Sequence, residues 1–224
     1  GTIQQHDFTT ISLTPAQFKS SLIKSPKQLN KFKHILIGGA PLNNSSSLTS
    51  KLDHPQIWLT YGMTETASHI AMQNLSNNET VLYPLPGVKI SQNETLQIHI
   101  PELDIQLQTN DIGEFREDGF VILGRSDNVI NSGGIKIHPH QIEVVIESVF
   151  QMMNLKKQFY VSKENHPEYG EVPILIIEGK PDFNQKPFIK ALTPLLPKYH
   201  APKKIYFTPK ILKTDTGKVI REAY

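Results

Sequence analysis

Between Gly124 and Gly134 the chain carries little apolar bulk and much turn chemistry, and this stretch divides its 224 residues into two unequal parts. Each part has a hydrophobic periodicity of its own, as expected when a chain of this length splits its core. Upstream, Thr9–Leu13, His34–Ile37 and Gln56–Thr60 read as strands, and Thr14-Pro15 opens an amphipathic helix through Phe18, Leu22 and Ile23. Strands with intervening helical segments predict a parallel α/β sheet. From Leu96 the pattern changes to short alternating strands, Leu96–Ile100, Ile112–Phe115 and Phe120–Leu123, which predict a small β-rich subdomain. Downstream the chain reads as a smaller α+β unit. It has a hairpin from Val129–Asn131 to Ile135–Ile137 and a helix from Pro139 with Ile142, Val145, Ile146 and Val149 on one face. Strands at Gln158–Val161 and Val172–Ile177, a helix over Pro187–Leu196 and a polar tail with Lys218 on a loop complete it. The boundary falls at Asp127, giving domains 1–126 and 127–224.

Charge and composition exclude several classes of function. With 23 basic and 21 acidic residues the formal net charge is +2, too little for a broad phosphate-neutralising surface, so nucleic acid is not an expected partner. There is no cysteine, hence no disulfide framework and no thiolate nucleophile. The start of the chain lacks a signal-peptide pattern and no apolar run reaches the ~20 residues of a membrane helix, which predicts a cytoplasmic protein with no integral membrane segment. None of the nine histidines has metal-ligand spacing, and His138-Pro139-His140 straddles a helix start, where exposed imidazoles are expected.

Tyr61-Gly62-Met63-Thr64-Glu65-Thr66 follows a predicted strand, the position at which open α/β sheets bind ligands. The segment offers a flat aromatic, a glycine that permits close backbone approach, two hydroxyls for phosphate oxygens and a carboxylate for a divalent cation. A nucleotide with magnesium would use all of these, and an ordinary strand-to-helix turn with threonine caps would also account for them.

The downstream residues decide between these. Tyr61 to Glu65, Thr109-Asn110-Asp111, Gly124-Arg125-Ser126-Asp127-Asn128, Ser132-Gly133-Gly134, Ile142-Glu143 and Thr216-Gly217-Lys218 resemble, in order and spacing, the motifs of the adenylate-forming family of acyl-CoA synthetases, aryl-acid ligases, luciferases and peptide-synthetase adenylation domains. The resemblance covers essentially the whole chain. It implies that Tyr61 stacks on adenine, Thr64 touches the α-phosphate and Glu65 helps to hold Mg2+. It further implies that Asp111 takes the ribose hydroxyls, with Arg125 donating to the same sugar. Gly38-Gly39-Ala40-Pro41 corresponds to a family loop lining the acyl and adenine pocket, where Gly39 and Ala40 leave room for ligand. Gly62 allows close approach to the nucleotide. Lys218 is the family's adenylation lysine, Asp127 its hinge, and Ser132-Gly133-Gly134 lies beside the pantetheine arm of coenzyme A. Each has a plainer alternative: a β-turn aspartate before Gly113, a surface ion pair for Arg125, a tight turn at Gly38–Pro41 and a hairpin turn at Gly133-Gly134. Lys136 is a candidate for a CoA phosphate, and Ser68 and His69 for substrate contact, against simple helix packing.

The family's upstream glycine- and hydroxyl-rich phosphate loop has no counterpart here, which predicts the carboxyl-terminal part of a longer enzyme. The expected fold is then α/β: the end of a large domain with its β-rich subdomain, followed by a mobile α+β lid. The compact connection from Glu65 to Asp111 is most similar to the o-succinylbenzoate:CoA ligases of menaquinone biosynthesis. The resemblance implies an AMP-forming ligase that takes ATP, releases AMP, and joins an aromatic carboxylic acid to CoA. The alternatives are a ligase for another aryl or acyl acid, or an inactive nucleotide-binding module.

Overall fold

Thr14 begins the first helix, α1 (Pro15–Lys24), through a reciprocal capping box. The Gln17 N–H donates to the Thr14 hydroxyl at 3.3 Å, and the Thr14 N–H donates to Gln17 Oε1 at 2.9 Å. Pro15 supplies the first-turn φ, and Pro26 ends the helix by disfavouring helical geometry at Ser25. Phe18 and Leu22, one turn apart, are buried, whereas Ile23 is 83% exposed, so the apolar stripe is narrower than expected. A short α2 (Pro26–Leu29) follows and adds Leu29 to the same core. The computed structural model describes residues 8–42, 48–50, 52–53, 56–214 and 218–221.

β1 (Thr10–Leu13), β2 (His34–Ile37) and β3 (Ile57–Gly62) pair in parallel, with Phe18, Leu22, Ile35, Ile37 and Ile57 in one core cluster. The sheet does not continue in parallel. β4 (His69–Asn74) returns antiparallel to β3, and β5 (Tyr83–Pro84) pairs antiparallel with β4, giving a mixed five-stranded sheet in place of the parallel one expected. The reason is local. After β3 a three-residue 3-10 turn (Thr64–Thr66) leads into Ala67 at φ +59°, which reverses the chain where a helix would have carried it onward. His69 therefore starts a strand and does not pack on a helix.

β6 (Lys89–Gln92), β7 (Leu96–Ile100) and β8 (Ile105–Gln108) form an antiparallel three-stranded sheet. The hairpin β9 (Asp111–Arg116) and β10 (Gly119–Arg125) comes next. Alternation along β7 is strict, with Leu96, Ile98 and Ile100 buried and Gln97 and His99 exposed. By internal contacts the chain forms two units, Gly1–Thr109 with Gly113–Ile122, and Asn110–Ile112 with Leu123–Tyr224.

In the second unit β11 (Ile130–Ser132) and β12 (Ile135–Ile137) form a hairpin ahead of α3 (Pro139–Met152). β13 (Phe159–His166) and β14 (Gly170–Glu178) then pair over eight residues, α4 (Gln185–Leu192) follows, and β15 (Ile205–Thr208) adds parallel to β14. Ile174 to Ile177 is a continuous apolar run because both faces of β14 are covered. Leu175 and Ile177 meet Ile142, Ile146 and Val149 of α3 and Phe188 and Leu192 of α4; Ile174 and Ile176 meet Tyr160, Ile211 and Val219. α4 starts two residues before the predicted Pro187 and ends at Leu192, four before the predicted Leu196, with a 3-10 turn over Thr193–Leu195 carrying the chain on.

Candidate functional site

The segment from Tyr61 to His69 owes its shape to close backbone packing. Gly62 pairs with His69 across a register shift, and a Cβ at Gly62 would stand 2.4 Å from the Ser68 carbonyl oxygen, so only glycine fits. Thr66 is buried; its hydroxyl accepts from the Met63 N–H at 3.1 Å and lies 3.0 Å from the Met63 carbonyl and 2.8 Å from that of Ser68. Of the two hydroxyls expected to meet phosphate, that of Thr66 is therefore occupied in folding the loop. Thr64 and Glu65 remain exposed. Tyr61 is half-buried, its ring edge-on to Phe120 at 5.8 Å. Ser68 Oγ lies 3.2 Å from His69 Nδ1, so the two polar groups are already coupled. At the end of β2, a Cβ on Gly38 would meet the Thr60 hydroxyl at 2.3 Å, while Gly39 (φ +87°) and Ala40 follow with open space over Gly39.

Thr109 is buried, and its hydroxyl and N–H both donate to the Leu96 carbonyl at 2.9 Å, which fixes the chain two residues before Asp111. Asp111 is half-buried, and Arg125 Nη1 stands 3.8 Å from its Oδ1. The same guanidinium grips Asp127 through Nη2 at 2.6 Å and Nε at 3.1 Å. Asn110 accepts from the Ser126 N–H at 2.8 Å, so the three charged residues are held by both backbone and side chains. Arg125 and Asp127 are about half exposed (47% and 50% for the side chains), where an ion pair contributes at most ~1 kcal/mol. The arrangement thus organises polar groups more than it stabilises the fold.

Gly133 (φ +57°) and Gly134 (φ +84°) form the two-residue turn between β11 and β12, where positive φ at both positions favours glycine. The Glu171 carboxylate accepts from the Asn131 N–H at 2.8 Å and meets Lys163 at 2.9 Å. Partial burial opposes its charge, yet these two partners hold the carboxyl below its ordinary value. Beside the turn lies a group the sequence reading missed. His166 stacks on Tyr169 at 4.9 Å, Tyr199 lies 6.2 Å from Tyr169, Lys198 stands over Tyr199 at 4.9 Å and Lys203 over Tyr169 at 5.9 Å. The backbone carbonyl of Tyr169 also accepts from the Gly133 N–H at 2.8 Å. The available signal was two aromatic residues in polar, lysine-bearing segments outside every predicted element. Lys136 is exposed on β12.

Lys218 is exposed, with its N–H donating to the Thr214 hydroxyl at 3.1 Å and its carbonyl accepting from the Thr214 N–H at 2.8 Å. Thr216 and Gly217 of its motif lie outside the described residues. His138 and His140, expected to be exposed, are half-buried. Burial above all, then the His200 imidazole and the Lys136 ammonium, hold His138 below its ordinary value, and its buried Nδ1 has no hydrogen-bond partner. Burial also pushes His140 down, against the opposing pull of Glu143. Among the described residues no group of three or more His, Asp or Glu gathers as a metal cage, and no helix is long and apolar enough to cross a membrane.

Residues 1–102 match the AMP-binding enzyme family. Over most of its length the chain is similar to acid–thiol ligases. Among these, it is 29% identical over 215 residues to the 2-succinylbenzoate–CoA ligase of Lactococcus lactis, covering 86% of this chain and 46% of that protein. It is also 27% identical over 210 residues to the 3,4-dihydroxybenzoate–aryl-carrier-protein ligase of Bacillus anthracis, covering 88% and 47%. The fold is that of the o-succinylbenzoate CoA synthetase of Bacillus subtilis in complex with its acyl-adenylate intermediate, with a TM-score of 0.83, 22% identity, and 98% of this chain covered against 51% of that one. The same enzyme has been solved in complex with ATP and magnesium ion. The chain spans about half the length of the curated relatives it matches.

Proposed function

We propose that this chain is the carboxyl-terminal part of an AMP-forming acid:CoA ligase that activates o-succinylbenzoate in menaquinone biosynthesis. The observation that carries the reading is the loop from Met63 to Ser68, in which a buried Thr66 hydroxyl leaves Thr64 and Glu65 exposed at the end of β3. In this reading residues 1–126 end the large domain with its β-rich subdomain, residues 127–224 are the lid, and Asp127 is the hinge.

In the first half-reaction a carboxylate oxygen of the acid attacks the α-phosphorus of ATP, and pyrophosphate leaves as the acyl-adenylate forms. Tyr61 offers its ring to adenine, while Gly39, Ala40 and Gly62 leave room beside it. Asp111 accepts from the ribose hydroxyls and Arg125, steadied by Asp127, donates to the same sugar. Thr64 donates to the α-phosphate. Glu65 is a single exposed carboxylate, which suits magnesium, an ion held by one or two carboxylates together with substrate phosphates and there able to neutralise their charge. Lys218 supplies an ammonium where negative charge accumulates on the α-phosphate and the attacking carboxylate. In the second half-reaction the CoA thiol sulfur attacks the acyl carbonyl carbon, its proton passes to solvent and AMP leaves. Gly133 and Gly134 leave a passage free of side chains for the pantetheine arm. The Tyr169 and Tyr199 rings with Lys198 and Lys203 suit the adenine and phosphates of CoA.

The test is acid-dependent turnover by the full-length protein carrying this sequence, with ATP, magnesium and CoA. AMP, pyrophosphate and thioester are expected in equal amounts, and release of ADP, or turnover indifferent to the acid, would defeat the reading. Similarity to a ligase for an aryl carrier protein supports a second reading, an aryl-acid ligase with a protein-bound pantetheine as acceptor. Replacing CoA by a phosphopantetheinylated carrier protein separates the two.

A further inference from the structure

Glu143 of α3 is 8% exposed, an unusual place for a carboxylate, and it is fully engaged. Its Oε1 accepts from the Val161 N–H at 2.8 Å and from Arg221 Nη1 at 2.6 Å, and its Oε2 accepts from Arg221 Nη2 at 3.0 Å. Arg221 Nη1 also donates to the Val161 carbonyl at 2.6 Å, and the guanidinium stands 5.8 Å from the Tyr160 ring centre. One arginine near the end of the described chain therefore ties itself to both α3 and β13. It does so three residues after Lys218. Between them Val219 bridges Lys213 and packs on Tyr160, Ile174, Ile176 and Ile211, and the Ile220 N–H donates to the Leu212 carbonyl at 3.0 Å.

A hairpin this short has little stability of its own, so the place of Lys218 depends on what fastens its outgoing arm. The arm leaves through one apolar residue, Val219, and one fork-shaped ion pair. An apolar contact resists removal of the arm but tolerates sliding, whereas a bidentate pair fixes distance and angle together. A lysine carries its charge on a flexible stem, so the backbone from which the stem starts decides where the ammonium can reach.

We infer that the Glu143–Arg221 pair is a positioning device for Lys218, holding the lysine-bearing hairpin against α3 and β13 so that its ammonium is placed for acyl-adenylate formation. The inference rests on the reading of Lys218 as the adenylation lysine. It assigns no contact with substrate to Arg221 or Glu143.

Two measurements test it, and they separate its failure from failure of that reading. The first needs only this chain: in Arg221→Met, which keeps the stem and loses the fork, amide exchange at Ile220 should quicken at least ~10-fold with exchange in the β13–β14 core unchanged. Unaltered exchange at Ile220 would overturn the inference whatever Lys218 does. The second uses the full-length protein, measuring adenylate formation from acid and ATP, and thioester formation from supplied acyl-adenylate. Arg221→Met should slow the first by ~10-fold or more and leave the second within about twofold, with Arg221→Lys intermediate because it keeps the charge without the fork. Equal loss in both half-reactions would mean that the pair only supports the fold and would overturn the inference. If Arg221→Met fails to fold, Arg221→Lys carries the same comparison. Lys218→Ala run alongside should lose adenylation by ~10²-fold. Normal adenylation by Lys218→Ala would remove the reading on which the inference stands, whereas a dead Lys218→Ala beside a normal Arg221→Met would remove the inference alone.

Discussion

Thr66 shows how a single residue can govern a candidate site without meeting its ligand. One hydroxyl accepts from Met63 and has two carbonyls within reach, its one proton serving them in turn. Thr66→Val keeps the shape and removes the hydroxyl, leaving buried backbone groups unpaired at a cost of about 1–3 kcal/mol. Chemical denaturation of the chain should show that loss, and in the full-length protein adenylation should fall while Thr64 and Glu65 are both still present. An unchanged unfolding midpoint would mean that water replaces the hydroxyl. At this scale the residue types were legible in the sequence: an aromatic, a glycine, hydroxyls and a carboxylate after a strand. What separates Thr64 from Thr66 was not, because it depends on the left-handed turn at Ala67, a conformation that an alanine does not announce. The unpaired Nδ1 of His138 was hidden for the same reason, since burial is a property of neighbours distant in sequence.

Among elements, the β11–β12 hairpin and the histidines that follow it invite separate tests. A Cβ at Gly134 would meet nothing within 4 Å, but the residue sits at φ +84°, so substitution brings backbone strain as well as bulk. Asparagine tolerates that conformation better than other side chains, so Gly134→Asn controls for strain while Gly134→Leu adds bulk. In the full-length protein Gly134→Leu should spare adenylation and block thioester formation, with Gly134→Asn close to the parent in both; full thioester formation by a folded leucine variant would refute the passage assigned to this turn. The histidines bear on pH. His138 and His140 are both held below their ordinary value of 6.5, so in the window below that value the unfolded chain binds more protons than the folded one. Stability must then rise with pH through the window and be lost as pH falls through it. The lowered carboxyls of Glu164, Glu171 and Asp182 also lose their contribution on acidification, but below their ordinary values of 4.5 and 3.8. Melting temperature should therefore fall between about pH 7 and pH 5, and a His138→Gln, His140→Gln variant should flatten that slope; an equal slope in the variant would place the titration elsewhere. Strict periodicity made β7 legible to the residue, whereas for α3 it gave the start at Pro139 and the apolar face but not the end at Met152. β4 was not legible, because its partner is β3 and the turn between them mimics a helix start; nor was β15, a four-residue run that is a strand only because β14 lies beside it.

For the whole molecule, the proposed activity leaves to chemistry which acid would be activated, since one fold can serve many substrates. The sequence made the order of motifs legible over the full chain, and under the proposed function the side chains near Tyr61–His69 are the candidates for recognising the acid. Thr66-Ala67-Ser68-His69 supplies the argument. Ala67 adds little bulk in front of β4, and the Ser68 hydroxyl and His69 Nδ1, 3.2 Å apart, present polar atoms side by side. An acid with an aromatic ring and two carboxyl groups uses both features: one carboxylate reacts, and the other accepts hydrogen bonds from serine and imidazole. An acid that places a carboxylate on this pair gains charge-assisted hydrogen bonds that an analogue without the group forfeits, and discrimination by such bonds reaches ~10⁴-fold where a site closes over them. The full-length protein should accordingly show a far higher kcat/KM for o-succinylbenzoate than for benzoate, acetate or a long fatty acid, measured with ATP, magnesium and CoA. A Ser68→Ala, His69→Ala double variant should lose most of that preference while its activity on benzoate changes little. Preference for benzoate or a fatty acid would exclude the proposed substrate, and an unaltered preference in the double variant would move its recognition to other residues.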